Sequence, residues 1–99
     1  MGTAVQYVNI VRKRSKANEI NQGDLSLDFI LDERGRELNL EGHRRTDLIR
    51  FGKFTGGSYL WPWKGGVKDG TSIPATYKLF PIPSSAIQAN LNLTQNPGF

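Results

Sequence analysis

Carboxylates and arginines crowd the stretch from Asp32 to Arg50, and acids set beside bases are one route to general acid–base chemistry. Their spacing gives them another use. Asp32 and Arg36 stand four residues apart, Glu41 and Arg45 four apart, and Asp47 and Arg50 three apart, the separations at which opposite charges meet on one helix face. No nucleophile–base arrangement accompanies them. Glu33, Glu37, Glu41, Arg44, Arg45, Asp47 and Arg50 are therefore read as a structural ion-pair network, with Glu33, Glu37 and Arg44 the members closest to burial. Arg44 and Arg45 point about 100° apart on a helix, so Arg44 is expected to face Glu33 or Glu37 while Arg45 meets water. No catalytic residue is assigned. His43 is the single histidine, and with no cysteine in the chain it has no set of partners that would make a metal site. It reads as a surface or hinge residue, and no cofactor is expected.

Tyr59, Trp61 and Trp63 offer a different chemistry. A flat indole covers the apolar C–H face of a sugar ring while neighbouring polar groups bind its hydroxyls. Pro62 stiffens the pair of tryptophans, and Gly65-Gly66 leaves room for approach. The same three rings would also anchor a loop onto a helical core. Both uses stay open, with the anchor favoured. Arg12-Lys13-Arg14-Ser15-Lys16 is the best nucleic-acid feature, yet Tyr7 is the sole aromatic near it and no recognised module surrounds it. It reads as the solvated end of a helix, and no nucleic-acid partner is expected.

The elements that must position these residues divide near Gly52. All five prolines follow it, and nearly all ionic side chains precede it. Ala4, Val8 and Val11, with Tyr7 alongside, recur at helical spacing and predict a helix over 3–16. A second helix is predicted from Asp24 or Ser26 as cap to about Leu40, with Leu27, Ile30, Leu31 and Leu38 turned to a core. Gly35 inside it costs about 1 kcal/mol relative to alanine and implies a close crossing or a break. Gly42 should interrupt the chain before a short helix over 43–51, which Gly52 ends. Beyond it, Leu79-Phe80-Pro81-Ile82-Pro83 must be extended, because proline restricts itself and the residue before it. Ser85 and Gln88 match a capping box for a short helix toward Asn90, and Asn96-Pro97-Gly98 matches a tight turn.

Five segments in order then carry a resemblance: Glu33-Arg34-Gly35-Arg36-Glu37-Leu38, Glu41-Gly42-His43-Arg44-Arg45, Asp47-Leu48-Ile49-Arg50-Phe51-Gly52-Lys53-Phe54, Leu79-Phe80-Pro81-Ile82-Pro83 and Gln95-Asn96-Pro97-Gly98-Phe99. Together they resemble the C-terminal signature of the SusD/RagB family, whose leucine–phenylalanine–proline run is a strand. The resemblance implies a mainly α fold of tetratricopeptide-like helix pairs with long inserted loops. It implies a lipid-anchored protein on the bacterial outer-membrane surface that captures oligosaccharides or other nutrients for a TonB-dependent transporter. Residues 1–99 would be the C-terminal part of such a domain, with 3–51 supplying helices and 52–99 an irregular Pro/Gly-rich covering segment. The anchor, most helices and the usual ligand loops would lie upstream. The implied function is non-catalytic, with a structural or protein-interaction segment as the alternative, and this piece alone is expected to bind glycans weakly or not at all.

A chain of this length buries a modest core. Trp61, Trp63, Phe80 and Ile82 are the expected anchors of the Pro-rich half. A stripe around Val5, Val8 and Val11 would remain for another copy of the chain or another protein to cover. Light scattering at micromolar concentration should then show a dimer or larger species; a cooperatively melting monomer would make the chain a self-sufficient domain.

Overall fold

The structure is a computed structural model that describes residues 3–99. It is mainly α, as the sequence patterns require, and among the described residues the only β pairing is an isolated antiparallel bridge between Gly56 and Ile73. Two compact units divide the chain, Met1–Arg44 and Arg45–Phe99.

In the first unit, α1 spans Ala4–Arg14. Thr3 and Gln6 form a reciprocal cap that the sequence reading passed over: the Gln6 amide N–H donates to Thr3 Oγ1 and the Thr3 N–H to Gln6 Oε1. Arg12, Lys13 and Arg14 fill the last turn, at the carbonyl end of the dipole. The helix closes with Lys16 at φ 58, where its N–H reaches the Lys13 carbonyl and the Ala17 N–H reaches Arg12. The connector after it folds back on polar side chains. Asn9 pairs with both backbone groups of Ile20, at 2.9 Å each, and Arg12 Nε donates to the Asn18 carbonyl at 2.6 Å.

The second helix, α2, spans Leu27–Glu37 and is capped by Ser26, whose Oγ accepts the Phe29 N–H. It stops short of Leu40, which lies in a turn at φ 62 and is almost wholly exposed. Leu31 is 1% exposed, whereas Leu27, expected in the core, is 71% exposed because it opens the helix at its solvent end. Val5, Val8 and Val11 are half-buried; the open apolar side chains of α1 are Tyr7 and Ile10.

Charge joins α1 to α2. Glu33 receives Arg12 and Arg36, each at 2.7 Å, and Arg14 pairs with Glu37. Burial pushes the Glu33 carboxyl up, but the hydrogen bonds from Arg36 and Arg12 outweigh it and hold the group below its ordinary value. Arg36 therefore serves Glu33, three residues back, where spacing alone had matched it with Asp32.

Gly35 accommodates a side chain and not a helix. Arg44 lays its guanidinium across it, donates to the Leu31 carbonyl at 2.6 Å and reaches Asp32 at 3.8 Å. A Cβ on Gly35 would lie 2.9 Å from Arg44 Nη1. Arg44 is thus seated on the backbone of α2, and the expected approach to Glu33 or Glu37 is replaced by Leu31 and Asp32.

The second unit begins at the second residue of α3 (Arg44–Arg50), which ends in a Schellman motif with Gly52 at φ 70. Gly52 N–H donates to Ile49 and Lys53 N–H to Leu48. Leu48 and Asp47 are buried, and Asp47 holds Arg50 at 3.1 Å. Arg45 donates to the Tyr77 carbonyl at 2.7 Å and lies over the rings of Phe80 (4.3 Å) and Phe54 (5.0 Å). The expected pairing of Arg45 with Glu41 gives way to this aromatic clamp; Glu41 lies in an exposed turn.

The proline run is extended but joins no strand. Gln95 stands in for one: its amide pairs with both the N–H and the carbonyl of Ile82, at 2.8 and 2.9 Å, and Asn96 Nδ2 donates to the Phe80 carbonyl at 2.7 Å. Ahead of it lie single 3₁₀ turns at Lys64–Gly66 and Ala75–Lys78. The last helix, α4, spans Ser84–Ala89 with Pro83 at its cap. Ser85 therefore sits inside the first turn, and the box expected with Gln88 does not form because the cap falls two residues earlier, at Pro83.

The Gly35 seat has a measurable signature. Gly35→Ala should gain about 1 kcal/mol of helix propensity in an Arg44→Ala background. With Arg44 present the added methyl displaces the guanidinium from Leu31, and a hydrogen bond from a charged group contributes about 1.5–3 kcal/mol, so the gain should vanish or reverse. Urea melts of the four proteins read this coupling directly; equal gains in both backgrounds would show that Gly35 seats nothing.

Candidate functional site

The three aromatics read together from the sequence separate in space. Trp61 is half-buried, with its ring stacked on Phe54 at 6.0 Å and 20° and tilted against Tyr59 at 6.2 Å. Trp63 is 66% exposed. Tyr59 and Trp61 are the loop's anchors, and Trp63 projects away from them. Phe80, also expected as an anchor, is 71% exposed and is held by the Arg45 guanidinium, not by a core.

The projection of Trp63 follows from its backbone. Its φ and ψ of 68 and 8 are left-handed, a region that costs a non-glycine residue about 1–3 kcal/mol and persists only where the surroundings hold it. Those surroundings are a dense set of turn bonds. Trp63 N–H donates to the Lys68 carbonyl at 3.2 Å, and its own carbonyl accepts the Gly66 N–H at 3.0 Å. Gly65 follows at φ 66, where a Cβ would lie 2.6 Å from Thr71 Cγ2, so only glycine fits there.

Beneath the loop, Lys64 is 1% exposed. Its ammonium donates to the carbonyls of Tyr59 at 2.7 Å and Gly56 at 2.9 Å, and it lies 4.5 Å from the Trp61 ring centroid. Loss of solvent pushes its pKa below the ordinary lysine value.

Together these residues bound an open groove of about 520 Å³. Trp63 and Trp61 form one part of its lining, Tyr77 and Ile73 another, and Thr71 and Ser72 add hydroxyls. Exposed indole beside hydroxyls suits a ring with one apolar face and a polar rim. Aspartate, glutamate and histidine are absent from the lining, so a carboxylate pair or imidazole for acid–base work is not presented there. Among the described residues no group of three His, Cys, Asp or Glu side chains could hold a metal ion. No described helix is long and apolar enough to cross a membrane.

The acidic and basic residues lie elsewhere. Glu33 and Glu37 meet Arg12 and Arg14 of α1, partners that a search for pairs three or four apart does not reach. His43 is exposed ahead of α3. Tyr77, Thr71, Ser72 and Lys64 went unread in the sequence. The one available signal was the density of glycine around Trp63, which marks tight turns able to bring such residues under one ring.

The SusD family model matches residues 2–99. The chain is 45% identical over 98 residues to the starch-binding protein SusD of Bacteroides thetaiotaomicron, a match covering 99% of this chain and 18% of that protein. Among solved structures, the surface glycan-binding protein A from Bacteroides thetaiotaomicron is similar with a TM-score of 0.75 and 38% identity, covering 98% of this chain and 20% of that one. The chain thus spans about a fifth of the length of the relatives it matches.

The division between anchor and platform predicts unequal losses. Trp61→Ala should lower stability by about 2–4 kcal/mol through lost packing with Phe54, Tyr59 and Lys64. Trp63→Ala should cost less than about 0.5 kcal/mol, as for an exposed side chain. Equal losses in urea melts would place both rings in the core.

Proposed function

Because the chain belongs to the SusD family, we propose that it forms part of a non-catalytic glycan-binding protein in a bacterial outer-membrane uptake system. On this reading the whole protein is lipid-anchored at the cell surface and hands oligosaccharides or related nutrients to a TonB-dependent transporter. The observation that carries it for this segment is Trp63, an exposed indole at the edge of a groove with hydroxyls and without acid–base residues. The printed names of its relatives, a starch-binding and a surface glycan-binding protein, support the same class of ligand. A single open groove presents one sugar-ring contact, which fits weak binding by the segment on its own and a larger site in the whole protein.

A second reading rests on the exposed apolar side chains of the Arg45–Phe99 unit. Phe80, Leu79, Tyr77 and Phe99 all lie open to solvent, and such a surface suits a protein partner, with the transporter as the first candidate.

Titration with maltoheptaose, followed through the two indole N–H resonances, separates these readings. The glycan reading expects the Trp63 resonance to shift, with a dissociation constant of about 1 mM, corresponding to about −4 kcal/mol. Trp63→Ala should abolish the response at the remaining residues of the groove. A silent titration with maltoheptaose and with a panel of other oligosaccharides, joined to co-purification with a TonB-dependent transporter, would favour the interaction reading.

A further inference from the structure

Lys64 carries more of the groove than any ring does. It is a cation 1% exposed, placed beside the residue whose conformation is the least favourable in the loop. An ammonium has three donors. Two are used on the Gly56 and Tyr59 carbonyls, and the face of Trp61 lies 4.5 Å from the nitrogen. The backbone of the same residue extends this hold. Lys64 N–H donates to the Trp61 carbonyl at 3.0 Å, and the Lys64 carbonyl accepts the Thr71 N–H at 3.0 Å. Gly56, in turn, donates its N–H to the Ile73 carbonyl at 2.9 Å. One residue therefore connects the chain before the tryptophans to the Thr71–Ile73 stretch across the groove.

An apolar side chain of similar length would fill the same space at a smaller desolvation cost. It would also leave the Gly56 and Tyr59 carbonyls without this donor. Those carbonyls belong to the limb of the loop that leads into Trp61-Pro62-Trp63. Freed, that limb loses a restraint on Trp63, whose left-handed conformation is then left to its turn bonds with Lys68 and Gly66.

We infer that Lys64 is the positioning residue of the groove, a buried cation that clamps the loop so that the Trp63 indole is presented to a sugar ring. The sugar as ligand rests on the glycan-binding reading above; the clamp on Trp63 does not. Lys64 itself touches no ligand on this view. It sets the geometry in advance, and binding then spends less on ordering the loop.

The two tryptophans are the only ones in the chain, so labelling with 5-fluorotryptophan yields one fluorine line for Trp61 and one for Trp63. Trp63→Phe assigns them. In Lys64→Met the Trp63 line should move toward its position in the urea-unfolded chain, and its response to maltoheptaose should be weakened or lost. The Trp61 line should remain distinct from its unfolded position, and helical circular dichroism should be retained. Lys64→Arg, which keeps a charged donor for both carbonyls, should restore the line and the response. Lys64→Gln, shorter and uncharged, should move the Trp63 line part of the way, and it decides the matter when Lys64→Met does not fold. Two results overturn the inference: a Trp63 line at its wild-type position in every variant that folds, or lines of Trp61 and Trp63 that collapse together in Lys64→Gln, the mark of a general packing role. A wild-type Trp63 line that ignores maltoheptaose and other oligosaccharides defeats the glycan reading alone, since the clamp is read from line positions without sugar.

Discussion

A backbone amide or carbonyl withdrawn from water needs a partner, and where helix and sheet do not provide one a side chain must. That constraint governs this chain. With no strand described beyond one isolated bridge, its irregular segments are closed by side chains that bond to distant backbone. Asn9 holds Ile20, Arg45 holds Tyr77, Lys64 holds Gly56 and Tyr59, and Gln95 holds Ile82. Apolar burial does less, since Leu31 and Leu48 are the only buried hydrophobic side chains among the described residues. The Gln95 contact shows the principle at its plainest. A primary amide carries a donor and an acceptor in one plane, as a strand's peptide group does, so it can pair with both groups of Ile82 where two prolines forbid a regular ladder.

Helices were legible in the sequence because their signals are local. The stripe of α1, the Ser26 cap, the break at Gly42 and the stop at Gly52 each depend on neighbours within about one turn of helix. The positions that misled have partners far along the chain. Arg36 has Asp32 at helical spacing, yet Glu33 is the better partner because Arg12 from α1 also reaches it and the three groups form one site. Gly35 implied a close crossing or a break; what approaches it is the side chain of Arg44, nine residues on. Trp61 and Trp63 are two residues apart in a motif of like composition, and the left-handed backbone of Trp63 itself accompanies one ring half-buried and the other exposed. Composition carries no trace of that sign of φ.

Arg44 and Arg45 make the same point for charge. Spacing predicts carboxylate partners for both, but an arginine has a flat apolar face as well as a rim of donors. Arg45 uses the face on Phe80 and Phe54 and one donor on a carbonyl, so it finds more in an aromatic, carbonyl-rich segment than a surface glutamate such as Glu41 would supply. Phe80 is exposed, and the guanidinium over its ring is what holds it.

The groove follows from the same economy of donors. A loop rich in glycine can turn sharply enough to bring Trp63, Thr71 and Ser72 around one space, but glycine also leaves a loop free to leave that shape. Packing supplies one restraint, through Trp61 on Phe54 and Tyr59, and a second comes from Lys64 on two carbonyls. The division explains how one ring is packed while its neighbour is exposed. Trp61 and Lys64 take the buried positions and satisfy the backbone, which leaves Trp63 free of structural duty and able to offer its face outward. An exposed aromatic held this way loses little freedom on meeting a flat partner.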